Sequence, residues 1–211
     1  MSAREEILGR LRDALRDSPE VPEIPRDYRS AVEVPETERI AMLVDRLEDY
    51  KAGVTVLDEA GIGTRIAELL DAAASYVVPE GIDGAWLAAA DAAVPGRRRT
   101  DSSTAPLSVA ELDATAAVVT GSAVSVAETG TIILDGSPNQ GRRAISLVPD
   151  HHICVVRAAD ITTILPEGLR RLDGTRPLTW ISGPSATSDI ELERVEGVHG
   201  PRTLDVIIVR S

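Results

Sequence analysis

The chain contains no phenylalanine, and aromatic residues of all kinds reach only 2% of its 211 positions. A core without rings has to be closed by Val, Ile, Leu and Ala, which suits strands buried on both faces under helices. The same scarcity removes the stacking platforms that single-stranded nucleic acids need. A formal charge of -12, from 34 acidic and 22 basic residues, removes the basic stripe that a phosphate backbone needs. The one dense basic run, Arg97-Arg98-Arg99, lies between Pro95-Gly96 and Asp101-Ser102 and reads as a solvated loop, so no nucleic-acid partner is expected. Cysteine occurs once, at Cys154, which excludes a disulfide framework and a self-contained zinc or iron–sulfur site. Its apolar surroundings predict a small buried core residue. No apolar run approaches the roughly 20 residues of a membrane span, so no membrane insertion is expected. The charged start Met1-Ser2-Ala3-Arg4-Glu5-Glu6 is unlike a secretory signal, and the chain is expected to be cytoplasmic.

Hydrophobic residues make up 43%, enough for one sizeable core and consistent with a single main domain. Apolar positions at Ile7, Leu8, Leu11 and Leu15 predict an amphipathic helix from Ser2 to Asp17, with Ser2 as its cap. Pro19, Pro22, Pro25 and Pro35 then fix φ and remove donors. Residues 1–34 therefore read as a helix and a Pro-rich arm packed on a domain spanning 35–211. Helices are predicted over Thr37–Lys51, Gly63–Ala74 and Asp83–Asp91, with strands at Val54–Leu57 and Tyr76–Val78. Ser108 and Glu111 have capping-box spacing and open a short helical segment.

Beyond Ala116 the apolar runs become short and close together: Ala116–Thr120, Thr131–Leu134, Ala144–Val148, Ile153–Val156, Leu178–Ile181 and Val206–Val209. Each reads as a strand of a layered sheet. Helices alternating with strands early, and strands crowding later, predict an α/β fold of three α/β/α layers around a mixed sheet.

Four segments hold residues able to do chemistry. In Ala127-Glu128-Thr129-Gly130-Thr131, a carboxylate in a glycine-bounded turn suits a base, a nucleophile or a ligand's acceptor. A turn acid that satisfies nearby amides looks the same. In Gln140-Gly141-Arg142-Arg143, two guanidinium groups could fork around a carboxylate or phosphate. The adjacent His151 and His152 open a strand and must point to opposite faces. With His199 as the remaining histidine, the ligand count is too low for a metal site, and no cofactor is expected of this chain. In Ser182–Glu191, Ser185, Thr187, Ser188 and Asp189 sit at what reads as a strand-to-helix junction. That junction suits an anion, although Ser188 and Glu191 also make a capping box. In Gly197-Val198-His199-Gly200-Pro201-Arg202, Gly197 reads as a helix C-cap and Gly200-Pro201 as a turn. His199 and Arg202 then either face a ligand or brace the loop.

These segments also appear in order in a known family. Ala127-Glu128-Thr129-Gly130-Thr131, the block from Arg143 through Leu147-Val148-Pro149 to His152-Ile153, Gly183-Pro184-Ser185 with Thr187 and Asp189-Ile190-Glu191, and Gly197–Arg202 resemble the LUD-domain family, on its lactate-utilization branch. The resemblance runs to the N-terminal helix and to Arg26-Asp27-Tyr28-Arg29, so it covers nearly the whole chain. It implies a fold like the NagB/RpiA/CoA-transferase group. It also implies a role as a non-redox subunit in the oxidation of L-lactate to pyruvate, beside partner subunits that carry iron–sulfur clusters. A small carboxylate or other anion would sit among Glu128, Arg143, His152 and His199, with Thr129, Gly130, Thr131, Arg142, Ser185, Thr187, Asp189 and Arg202 around it. Where some members carry a basic residue this chain has Ala186, which moves anion binding onto Arg142, Arg143 or Arg202. The alternative is an independent enzyme like a CoA transferase or a phosphosugar enzyme, with the Glu128 carboxylate as nucleophile.

Overall fold

The structure is a computed structural model that describes residues 2–16, 22–188, 194–197 and 199–210. Helix α1 (Ala3–Ala14) starts at a capping box: the Ser2 hydroxyl accepts from the Glu5 amide, and the Glu5 carboxylate accepts from the Ser2 amide at 2.7 Å. None of its residues is buried. The extended stretch 22–34 is tied down by polar contacts. Arg29 Nη2 meets Glu128 Oε1 at 2.9 Å, and the Val32 amide donates to Glu167 Oε1 at 2.8 Å. Helix α2 (Glu36–Asp49) follows and buries Ile40, Leu43 and Leu47 on one stripe.

Alternating strands and helices then build the main sheet: β1 (Gly53–Leu57), α3 (Ile62–Leu69), β2 (Tyr76–Pro79), α4 (Gly84–Ala93), β3 (Arg98–Asp101), α5 (Val109–Asp113) and β4 (Ala117–Thr120). After β5 (Val124–Val126), β6 (Thr131–Leu134) and α6 (Arg143–Leu147), the chain returns to it with β7 (His151–Arg157). It then forms β8 (Ile161–Thr162), α7 (Leu165–Leu169), β9 (Thr179–Ile181), β10 (Ala186–Ser188) and β11 (Arg194–Glu196), and closes with β12 (Thr203–Val209). Six strands pair in parallel in the order β1-β12-β7-β4-β2-β3. Mixed pairing is confined to a second sheet, β8-β5-β6-β9, where β5 is antiparallel to β6 and parallel to β8.

Strand alternation sorts the core into two layers. Cys154, Val156, Val206 and Ile208 face α2 and the second sheet, with Ile132 and Leu134. Ile153, Val155, Ile207 and Val209 face α3 and α4, with Ile62, Ile66 and Leu87. The result is the expected three-layer α/β architecture. Cys154 is fully buried as expected, and burial pushes its thiol pKa up to about 12. Among the described residues no helix is long and apolar enough to cross a membrane.

Three local expectations are corrected. Ala144–Val148 is not a strand but part of α6, with Ile145 buried against Val77, Leu112 and Val118. A five-residue apolar run carries too little periodicity to separate the two. The Arg97–Arg99 run is not a loop, because Arg98–Asp101 forms edge strand β3, where charged side chains are tolerated. Arg97 itself donates to the carbonyls of Leu70 and Ala73 beyond α3. Ser188 does not open a helix: Ala186–Ser188 forms a strand that pairs antiparallel with Arg194–Glu196. Gly197, at φ 78°, therefore follows a strand rather than capping a helix. Asp189, Ile190, Glu191 and Val198 lie outside the described residues.

Ile207 is fully buried in strand β12, in the core layer that also holds Ile66, Val155 and Val209. Ile207→Ala is expected to destabilise the fold by about 2–5 kcal/mol. Urea unfolding checks it through a lower midpoint at an unchanged slope.

Candidate functional site

Adjacent residues at the start of β7 point to opposite faces of the sheet. His151 Nε2 meets Asp205 Oδ2 at 2.7 Å on one side. On the other, His152 Nε2 lies 2.8 Å from the Thr120 hydroxyl of β4. The His152 ring is only 1% exposed, and burial, with the nearby His151 adding to it, pushes its pKa down to about 4. It is therefore neutral at pH 7. With Nε2 committed to Thr120, its second nitrogen, Nδ1, makes no hydrogen bond among the described residues. The ring lines a cleft of about 480 Å³.

That cleft is closed by α6 and by the loops on either side of the β10–β11 pair. Arg143, Ser146 and Leu147 come from α6, Trp180 from β9, Ser182–Ser185 from one loop and His199 from the other. The Ser185 hydroxyl accepts from the His199 amide at 2.9 Å, and the Ser185 amide donates to the Pro201 carbonyl at 2.8 Å. Ser185 thus fixes the two loops to each other. Gly183, at φ 93°, approaches Tyr50 so closely that a Cβ would stand 2.6 Å from the Tyr50 Cβ. Its lack of a side chain lets this loop pass α2.

Arg143, Ser146 and Thr179 also line a neighbouring cleft of about 590 Å³ at the carboxyl ends of β2 and β3, with Glu80, Ser102 and Ser103. From β2 the chain steps outward to β3, whereas from β4 it steps the other way to β7 and β12. The reversal of strand order, where open α/β sheets bind ligands, falls between β2 and β4, and the second cleft adjoins it on the β2 side. Arg143 stands between the two cavities and has no ion pair among the described residues.

The other two candidate arginines are engaged. Arg142 grips Asp101 with Nε and Nη2, both at 2.8 Å, and donates to the Leu107 carbonyl. Asp101 is 3% exposed, so Arg142 neutralises a buried carboxylate and fastens the end of β3. Arg202 Nε meets Asp150 Oδ1 at 2.6 Å and holds that carboxyl below its usual pKa. Of the three arginines, Arg143 is the one placed to meet an anion.

Glu128 does not join this group. In its turn between β5 and β6, its carboxylate pairs with Arg29, and it does not line the cleft. Gly130, at φ 60°, is required by packing, since a Cβ would lie 2.7 Å from the Arg46 Cβ. Thr129 and Thr131 share a hydroxyl contact of 2.8 Å, and Thr131 reaches the Ser182 hydroxyl at 2.9 Å. The turn therefore touches the cleft only through this chain of hydroxyls. Thr187 lies on β10 opposite Val195. The expected foursome is thus reduced to Arg143, His152 and His199, with Ser185 as their brace. Thr120, Ser146 and Trp180 were not expected: they belong to three separate elements, and only strand register brings Thr120 beside His152. Among the described residues no three His, Cys, Asp or Glu side chains are placed to share a metal ion.

Comparison with known proteins adds an independent line. The LUD domain model matches residues 105–209, which include Arg143, His152 and His199. The chain is 44% identical to lactate utilization protein C of Deinococcus radiodurans, over 98% of this chain and 95% of that protein. It is 34% identical to lactate utilization protein C of Shouchella clausii over 98 residues, 43% of this chain and 42% of that protein. It also resembles the crystal structure of a DUF162 family protein from Deinococcus radiodurans. There the TM-score is 0.69 and the identity 40%, covering 84% of this chain and 99% of that one.

The buried histidine makes a signed prediction. An unfolded histidine keeps the ordinary value of 6.5, above the native value of about 4, so the unfolded chain binds the proton more readily between them. Stability is full above pH 6.5 and falls as pH drops through this window, by about 2 kcal/mol between pH 7 and pH 5. Urea unfolding at both pH values checks it: His152→Gln should lose less stability on acidification than the native chain. Equal losses would show that His152 is not buried as a neutral ring.

Proposed function

The chain belongs to the LUD-domain family, and on that ground we propose that it serves lactate utilization, as a non-redox subunit of the system that oxidises L-lactate to pyruvate. The observation that carries this reading is near-full-length similarity to a protein named for lactate utilization. The chain's own ligand inventory agrees with it. One cysteine, buried and held as a thiol, offers no ligand set for an iron–sulfur cluster, so electrons would pass through partner subunits that carry such clusters.

The Arg143 cleft supplies what a small carboxylate needs. A guanidinium with no competing carboxylate can take both oxygens of a 2-hydroxy or 2-oxo acid. The neutral His152 ring offers a hydrogen-bonding nitrogen without charge, and His199 adds a third polar group at the rim. Leu178, Ile181 and Leu204 keep the cleft partly apolar, which strengthens an ion pair formed inside it. Acyl chemistry through Glu128 has no such support, because that carboxylate is paired with Arg29 outside the cleft.

Deleting the gene in its native host should abolish growth on L-lactate and leave growth on pyruvate intact. Complementation with Glu128→Gln should restore growth, whereas Arg143→Ala should not. A tagged chain should recover a partner with the visible absorption of an iron–sulfur protein. Unimpaired growth of the deletion strain on L-lactate would overturn the reading. For the purified chain, Arg143→Ala should weaken L-lactate or pyruvate binding by roughly 10- to 100-fold, the loss expected for a charge-assisted pair of hydrogen bonds.

A further inference from the structure

A larger cleft, about 740 Å³, lies away from Arg143, between the N-terminal arm on one side and β8 and α7 on the other. Arg39, Arg170 and Arg171 all line it. Each donates to a backbone carbonyl: Arg39 to Val34 at 3.3 Å, Arg170 to Ser30, and Arg171 to Ala159 at 2.8 Å. None of the three pairs with a carboxylate among the described residues. In a chain with 34 acidic and 22 basic residues, three guanidinium groups on one cleft without an ion pair run against the composition.

Acids are close by: Glu167 lines the same cleft and feels the Arg170 charge, and Asp160 feels that of Arg171, but neither reaches salt-bridge distance. Glu167 accepts from the amides of Val32 at 2.8 Å, Thr163 at 2.9 Å and Ile164 at 3.3 Å, so its oxygens hold the arm and the start of α7. Glu33 stands exposed at the rim. A separate feature points to a ligand. Arg39 has a buried Nε with no acceptor. The Thr163 side chain lines the cleft, and its hydroxyl makes no hydrogen bond among the described residues. A buried donor left without a partner, as at Arg39, is costly, and an anion in the cleft would engage the guanidinium charges together with the Thr163 hydroxyl.

We propose that this cleft is a second binding site, for a small phosphate-bearing molecule, separate from the Arg143 cleft. A phosphate group offers several acceptor oxygens to a fan of guanidinium donors and one hydroxyl. The volume lies within the range of small-molecule sites and leaves room for an organic body beyond the phosphate. Because Val32–Pro35 form one wall, the bound anion fastens the arm to the domain, and arm and ligand stabilise each other.

The test is titration calorimetry of the full chain with inorganic pyrophosphate at constant ionic strength. Saturable binding to one site is expected, weakened about tenfold or more in the double variant Arg170→Ala/Arg171→Ala and unchanged in Arg143→Ala. Thr163→Val removes only the hydroxyl, preserves shape, and should weaken binding severalfold even if the arginine variant folds poorly. Hydrogen exchange at the Val32 amide should slow when pyrophosphate is added. The proposal is overturned by absence of saturable binding, by binding that survives both the arginine and the threonine variants, or by binding lost in Arg143→Ala instead. None of these outcomes bears on growth on L-lactate.

Discussion

Everything in this molecule hangs on burying β7 and β12 on both faces at once. Parallel strands leave no face to water, so Ile153 through Val156 and Val206 through Val209 must be apolar throughout. A chain almost without aromatic residues meets this with four branched aliphatics facing α3 and α4, and with three and Cys154 facing α2 and the second sheet. In these two strands polar side chains gather at the start: His151, His152 and Asp205 sit there, within two residues of the first position of the fully apolar run. The alternation that fills the core also sends one histidine to Asp205 and the other to Thr120.

Charge follows a second constraint. Acidic excess means that most arginines near the domain's clefts find a carboxylate: Arg142 with Asp101, Arg176 with Asp135, Arg202 with Asp150 and Arg29 with Glu128. These pairs differ in weight. The Asp101 pair is partly buried and bidentate, so losing Arg142 would strand a carboxylate. The Arg29 pair is exposed and contributes little by itself. Against this background, arginines that line a cavity without an ion pair stand out. Arg143 is one, and the group around Thr163 is another.

Much of the architecture was legible in the residues. Ser2 and Ser108 mark helix starts through their capping boxes, and both boxes form. The apolar runs at Tyr76, Ala116, Ile153 and Val206 became the inner strands because full burial demands uninterrupted aliphatics, and the run at Val54 became the half-buried edge strand β1. Legibility failed where a run was too short to show a period, as at Ala144–Val148. It failed again where hydroxyl residues suit a strand as well as a helix cap, as at Ala186–Ser188. The site was half legible. Arg143, His152 and His199 could be singled out by residue type, but not their distance from Glu128. That distance depends on the second sheet, whose strands β5 and β8 have three and two residues and no distinguishing pattern.

The Glu128 turn shows why an ordered set of motifs does not have to be one site. Its glycine is explained by the approach of Arg46, and its carboxylate by the arm residue Arg29. Thr131 alone passes a contact onward, to Ser182 at the cleft. The turn is thus a junction between the arm, α2 and the cleft loop rather than a wall of the cleft. The same arm, through Val32, reaches Glu167 and helps enclose the Arg170 and Arg171 cleft. Stretch 22–34 therefore makes two neighbouring contacts, since the Glu128 amide donates to the Thr163 carbonyl at 3.0 Å: one sits next to the hydroxyl chain leading to Ser182, the other beside the arginine-lined cleft. An anion that tightened the arm would bear on the Glu128 turn as well, because both contacts belong to one short extended segment with no secondary structure of its own to absorb a shift.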